Sequence, residues 1–197
     1  MGKVFILGVN GSSHKEGKTA NLLKDILFAS EKAGGETQVL HLTDYDIKHC
    51  KGCYSVDPKS CVYPCSTKDD MQRIYPLLER ADAIVLGSPV YWFNMSGMMK
   101  DFIDRMTCAE GNDFMYQGKV AALAVAKEDD GAMQALMSMA SALNHMGFVL
   151  LPYTIYSPGT ENGKNWVPET VGLIGKKLVE VADALKKLDW REKPFIK

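Results

Sequence analysis

No apolar run in this 197-residue sequence approaches the roughly 18 residues needed to cross a bilayer. No leader of charged, long-apolar and small-residue regions opens it. Charge of one sign is not in surplus either. Lys and Arg number 23 against 24 Asp and Glu, for a net charge of −1. With no basic stripe, that balance argues against a nucleic-acid surface. Repeats and low-complexity segments are absent, and no Ser/His/Asp constellation is present; His41, His49 and His145 read as surface or structural. Two nucleotide fingerprints are also missing. Gly17-Lys18-Thr19 ends like a P-loop, but the motif needs its first glycine at position 12, which is Ser12, and Gly11 falls one residue early. Nor do Gly8, Gly11 and Gly17 have G-x-G-x-x-G spacing. These exclusions leave a globular, cytosolic chain in which five cysteines are expected to be free, metal-bound or redox-active rather than paired as disulfides.

What is present is an alternation. Short apolar runs at Lys3–Val9, Thr37–Leu42, Ala83–Gly87, Val120–Ala126 and Phe148–Tyr156 read as parallel strands buried on both faces. Between them lie amphipathic patterns at Ala20–Ala33, Lys68–Arg80 (limited or kinked by Pro76), Gly97–Thr107 with Ser96 as N-cap, Ala132–Met146, and Pro168 to about Leu188. Five strands alternating with five helices predict one domain over 1–197. Its class is α/β, a doubly wound five-stranded parallel sheet between two helical layers. A cysteine-containing insert at 44–67 and a tail at 189–197 stand outside that alternation. In such a sheet ligands bind beyond the carboxyl ends of the strands. The loops Asn10–Thr19, Ser88–Ser96 and Lys127–Gly131 should therefore converge.

The first of these loops, Gly8–Thr19, follows a strand, collects Ser12, Ser13, His14, Lys15, Lys18 and Thr19, and opens a helix. Unpaired N–H groups and partial positive charge at a helix start suit a phosphate. The second loop puts Tyr91, Trp92 and Phe93 between Pro89-Val90 and Asn94. Three consecutive aromatics cannot all face a core. Two readings stand: packing beneath the loop or at a subunit contact, or a wall for a planar ring. A phosphate cradle and an aromatic wall on one sheet edge fit flavin mononucleotide (FMN). The insert carries C-x2-C-x7-C-x3-C at Cys50, Cys53, Cys61 and Cys65. Such thiolates suit a tetrahedral metal or a [4Fe–4S] cluster. Structural zinc, a redox-active Cys50/Cys53 pair, and partly buried cysteines are the other readings. Cys108 reads as an ordinary core or interface residue.

Together with the phosphate and cysteine loops, three segments carry a family likeness: Asp69-Asp70-Met71, the run Ala81–Trp92 and Met95–Arg105. The sequence resembles the NADPH-dependent FMN reductase family, nearest its iron–sulfur flavoprotein branch. The resemblance covers about the first two thirds of the chain. It implies a flavodoxin-like fold, bound FMN, and electron transfer from NAD(P)H or a carrier protein to a quinone, small-molecule or protein acceptor. It also implies that Ser12, His14, Lys18, Thr19 and the Ala20 amide hold the phosphate, with Pro89, Val90, Tyr91, Trp92, Phe93 and Asn94 at the flavin. Ser13 and His14 replace the family's Pro-Arg pair and Lys18 its Asn, so charge at His14 would vary with pH; Lys15 or Lys18 could supply the missing cation. The branch carries a compact C-x2-C-x2-C, whereas Val56 stands at the third position here, leaving Cys61 and Cys65 to complete a set of different geometry. Family members form dimers or tetramers; eleven methionines, Trp92, Phe93 and the tail residues Trp190 to Ile196 match that expectation of a homo-oligomer. Rival readings are a flavin-binding carrier without nicotinamide activity, a phosphate-nucleotide enzyme built on Gly17-Lys18-Thr19, and a metal-dependent regulatory protein.

Overall fold

A computed structural model describes residues 2–153, 155–157 and 167–188; the tail at 189–197 lies outside them. The chain runs β1 (Phe5–Asn10), α1 (Lys18–Lys32), β2 (Glu36–His41), α2 (Cys53–Val56), α3 (Met71–Arg80), β3 (Ala83–Pro89) and α4 (Gly97–Arg105). It continues with α5 (Thr107–Glu110), β4 (Val120–Ala126), α6 (Ala132–His145), β5 (Val149–Leu150), β6 (Ile155–Ser157) and α7 (Val167–Leu185). All pairings are parallel, in the order β2-β1-β3-β4-β5, with β6 also beside β4.

The expected run Phe148–Tyr156 is therefore two short strands at the fifth position rather than one. Pro152 offers no N–H to a ladder, and Tyr153 takes φ +69°, a left-handed conformation no strand accommodates. The order 2-1-3-4-5 is that of flavodoxin-like sheets, with its switch point between β1 and β3.

Alternation along each strand divides the core. Phe5, Leu7, Val9, Ile84, Leu86, Leu123 and Val125 pack with Ile74 and Leu78 of α3, Met99 and Phe102 of α4, and Leu136 and Met139 of α6. Val4, Ile6, Val85, Ala122 and Ala124 face the other way, onto Leu23 and Ile26 of α1 and Ile174 and Leu178 of α7. The result is three layers, helix–sheet–helix. α1 and α7 press together at Gly175, where a Cβ would stand 2.5 Å from Ala29 Cβ and 2.7 Å from the Ile26 carbonyl oxygen.

Two helix boundaries differ from the sequence pattern in ways that matter. α1 begins at Lys18, two residues earlier than expected, so Lys18, Thr19 and Ala20 form its first turn. α3 begins at Met71, later than Lys68. There the Asp69 carboxylate accepts from the Met71 amide (3.1 Å) and is committed to tertiary contacts. Pro76 sits inside α3 without ending it.

Candidate functional site: a three-loop edge and a cysteine cavity

The three loops meet at the carboxyl ends of β1, β3 and β4. β1 ends in Asn10, which is fully buried. Its Oδ1 accepts from the Ser12 amide (3.1 Å), while its Nδ2 donates to the His14 carbonyl (3.4 Å) and contacts His41 Nδ1 (3.0 Å). Ser12 Oγ accepts from the His14 amide (3.1 Å), leaving its own hydroxyl proton available to a ligand. Gly17 caps α1 without any side-chain hydrogen bond. Among the described residues no side chain accepts from the first-turn amides of this 15-residue helix, which leaves them open to an anion. Thr19 and Ala20 are buried beside them.

The second loop is tied to the first. Gly11 N donates to the Gly87 carbonyl (2.7 Å), and Ser96 Oγ donates to the Gly11 carbonyl (2.6 Å) while accepting from the Met99 amide (3.2 Å). Ser96 is thus both the expected helix cap and the clasp between loops. Val90 N donates to the Ala126 carbonyl (2.8 Å), joining the second loop to β4. Tyr91 and Asn94 exchange backbone hydrogen bonds of 2.9 and 3.1 Å. Between them Trp92 and Phe93 both have positive φ, 48° and 63°.

A tight turn of that hand favours glycine or asparagine. Holding two aromatic residues there costs on the order of 1–3 kcal/mol each. Trp92 is 95% exposed, and Tyr91 and Phe93 are exposed as well. The aromatics do not pack beneath the loop; they form a surface ridge beside the phosphate-type turn. Tyr91 Oη reaches Ser13 Oγ at 3.5 Å.

The third loop joins through Lys18, whose Nζ is 2.7 Å from Glu128 Oε1, and through Gly131. Gly131 has φ +90°, and a Cβ there would stand 2.7 Å from Phe93 Cα. Lys15 pairs with Asp44. The two lysines expected to neutralise a phosphate are thus held by carboxylates at the edge. Burial holds His41 below the ordinary histidine value, helped by Lys15 and Lys24 against Asp44 and Glu16. A neutral Nδ1 is what accepts from Asn10.

The insert is folded onto the body. Asp46 N donates to Asp70 Oδ2 and Lys48 N to Asp69 Oδ2, both at 2.9 Å. Arg105, from the end of α4, forms a fully buried ion pair with Asp69 and donates to the Lys48 carbonyl (2.9 Å). Cys50, Cys53, Cys61 and Cys65 line one cavity of about 310 Å³, with Arg105 and Cys108 on its wall. All five thiols are free. Among the described residues no three Cys, His, Asp or Glu side chains stand as a group that could hold a single metal ion.

Burial, with the neighbouring thiols, pushes Cys61 up to about 11. Burial also raises Cys108. At Cys65 burial acts upward too, but hydrogen bonds from Thr67 and the Arg105 charge outweigh it and the thiol lies lower than usual. Cys108 is buried as expected, though at the cavity rather than in the core alone.

Sequence reasoning missed Asn10, Glu128, Asp69 and the role of Arg105. An Asn ending a strand before Gly-Ser is a legible turn signal. Nothing local marks Arg105 and Asp69, which are 36 residues apart.

The sequence profile of the NADPH-dependent FMN reductase family matches residues 4–161. An iron–sulfur flavoprotein of Archaeoglobus fulgidus is 32% identical, the match covering 93% of this chain and 98% of that protein. One of Methanocaldococcus jannaschii is 30% identical, covering 92% and 99%. Among solved structures, RosB with bound 8-demethyl-8-formylriboflavin-5′-phosphate superposes with a TM-score of 0.78 at 17% identity, covering 96% of this chain and 83% of RosB. A flavodoxin from the Archaea superposes with a TM-score of 0.61 at 17% identity, covering 91% and 99%. The fold, the loop architecture and these matches agree: the chain belongs to the NADPH-dependent FMN reductase family.

Proposed function

We propose that the three-loop edge binds FMN and that the chain is an FMN-dependent NAD(P)H oxidoreductase with a [4Fe–4S] cluster on Cys50, Cys53, Cys61 and Cys65. One observation carries the flavin reading. The first-turn amides of α1 and the exposed, strained Tyr91–Asn94 turn lie on one sheet edge, clasped by Ser96 and Gly11. That arrangement fits a ligand with phosphate at one end and a ring at the other.

Ser12, Thr19 and the amides of Lys18, Thr19 and Ala20 would hold the phosphate, with His14 beside them. Pro89 to Asn94 would hold the ring, their backbone groups facing its heteroatoms. Bound flavin supplies hydride acceptance and one-electron transfer, so no acid–base triad is required of the protein. What these residues contribute is orientation, exclusion of water from one ring face, and a fixed electrostatic setting.

The four cysteines offer the donor set of a cluster, and they ring a cavity instead of crowding around a single ion. Iron–sulfur flavoprotein relatives spanning over nine tenths of the chain favour the same reading. The chain is also proposed to be cytoplasmic and to assemble as a homodimer or homotetramer through the apolar ridge beside the flavin.

The test starts from the absorbance spectrum of anaerobically purified protein, before and after added FMN, with iron and acid-labile sulfide analysis. Flavin bands, quenching of FMN fluorescence on binding, and NAD(P)H oxidation with artificial acceptors are expected. A preparation that acquires no flavin bands from FMN rejects the reading. FMN binding without NAD(P)H turnover reduces it to an electron carrier.

A further inference from the structure

Arg105 heads the fully buried side chains of the described residues in size. A guanidinium has five N–H donors in a rigid fork, and most of this fork is committed. Nη1 donates to the Lys48 carbonyl at 2.9 Å and to Asp69, and Nη2 donates to Asp69 Oδ1 at 3.2 Å. Asp69 is held in turn by the amides of Lys48 (2.9 Å) and Met71 (3.1 Å). The fork cannot swing.

Its Nε–H is buried and has no hydrogen-bond partner among the described residues. Native proteins rarely leave a buried charged donor unpaired. The guanidinium borders the cavity ringed by the four cysteines, and Cys65 is its electrostatic neighbour there.

We propose that Arg105 is a positioning residue for the cysteine centre: its Nε–H donates to the Cys65 sulfur when the four thiolates hold a cluster. The inference rests on the cluster reading above and assigns a task to a residue outside the cysteine motif. Asp69 aims the donor, and the Lys48 carbonyl fixes the insert against it. One-electron reduction adds a negative charge to the centre. An N–H donor and a fixed positive charge on a ligand sulfur stabilise that reduced state and raise the potential. Lysine would keep the charge and lose the planar fork with its directed N–H.

The experiment uses the full chain with FMN, reconstituted anaerobically with ferrous iron and sulfide, as wild type and as Arg105→Lys. Wild-type protein that binds FMN but takes up no iron and sulfide ends the cluster reading and this inference with it. With the wild type loaded, Arg105→Lys is expected to bind FMN unchanged. Its cluster midpoint, followed by EPR during dithionite titration, should fall by about a tenfold loss in the reduction equilibrium, 59 mV for one electron. The deuterium-sensitive Fe–S stretching bands of the wild type should weaken in the variant. A loaded Arg105→Lys protein with the wild-type midpoint and deuterium shifts overturns the inference while leaving the cluster in place.

Should the variant fail to fold, wild-type protein labelled with ¹⁵N-arginine carries the test. The Arg105 Nε–H resonance is expected to shift and broaden on loading, whereas those of exposed Arg73 and Arg80 stay. An Arg105 resonance that does not respond overturns the proposal.

Discussion

At the scale of single residues, the phosphate-type turn depends on polar groups whose partners lie within a few ångströms. Thr19 is buried at the start of α1, so Thr19→Val keeps its shape and removes one donor. A hydrogen bond to a charged group is worth roughly 1.5–3 kcal/mol; FMN affinity should fall at least tenfold in fluorescence titration, with little change in melting temperature. Glu128→Gln acts in the opposite direction by releasing Lys18 from its 2.7 Å pair. Both side chains are largely exposed, so the gain should be a few-fold at low salt and vanish at high salt. His41 gives a pH dependence. Its folded value lies below the ordinary 6.5, so unfolding takes up protons in the window between the two. Its contribution is intact above about 6.5 and is lost as pH falls from there through the lowered folded value. Melting temperatures from pH 8 to 5 should show that loss, and His41→Gln should flatten it. Sequence reasoning named Ser12, His14, Lys18 and Thr19 together because they are neighbours in the chain. It could not find that Lys18 answers to Glu128, 110 residues away.

At the scale of elements, the insert between β2 and α3 shows what a helical pattern can hide. Asp69 and Asp70 read as the first turn of α3, yet both are anchors for Asp46 and Lys48. Tertiary hydrogen bonds outcompete the expected first turn of the helix there. The Asp69–Arg105 pair is fully buried. Removing one partner of such a pair leaves an uncompensated charge, costing about 3–5 kcal/mol. Asp69→Asn should lower the denaturant midpoint accordingly and expose the cysteine thiols to faster alkylation. The pair also sets an acid limit. Burial alone would raise Asp69, but Arg105 and the Lys48 and Met71 amides hold it below the usual carboxylate range. Its stabilisation is therefore complete above the unfolded carboxylate value and is lost as pH falls through the lowered folded value. Acid unfolding of the wild type should be steeper than that of Asp69→Asn over that range. The fifth strand was legible as β-rich but not as broken: Pro152, which has no N–H for a ladder, was the one local sign, and the left-handed backbone of Tyr153 left none.

At the scale of the whole molecule, the sheet order brings three loops together and leaves an apolar ridge outside them. Trp92, Phe93, Met133 and Met137 are all exposed, and Gly131 packs Phe93 against the start of α6. If that ridge is the subunit contact, Met133→Glu should shift mass in light scattering toward monomer while far-UV circular dichroism stays unchanged. An unchanged mass would move the contact elsewhere.

By itself the sequence determined the layers and the chemistry on offer. Apolar runs in this alternation bury between helices, glycine and hydroxyl residues after a strand offer a turn with hydrogen-bonding groups, and four of the cysteines fall in one insert. Only the tertiary structure decided how these parts are joined, because contacts between distant residues leave no local periodicity. It made Ser96 the clasp of Gly11, gave Lys18 to Glu128, held Trp92 and Phe93 in a strained turn at the surface, and buried Arg105 beside the cysteines with its Nε–H unpaired among the described residues.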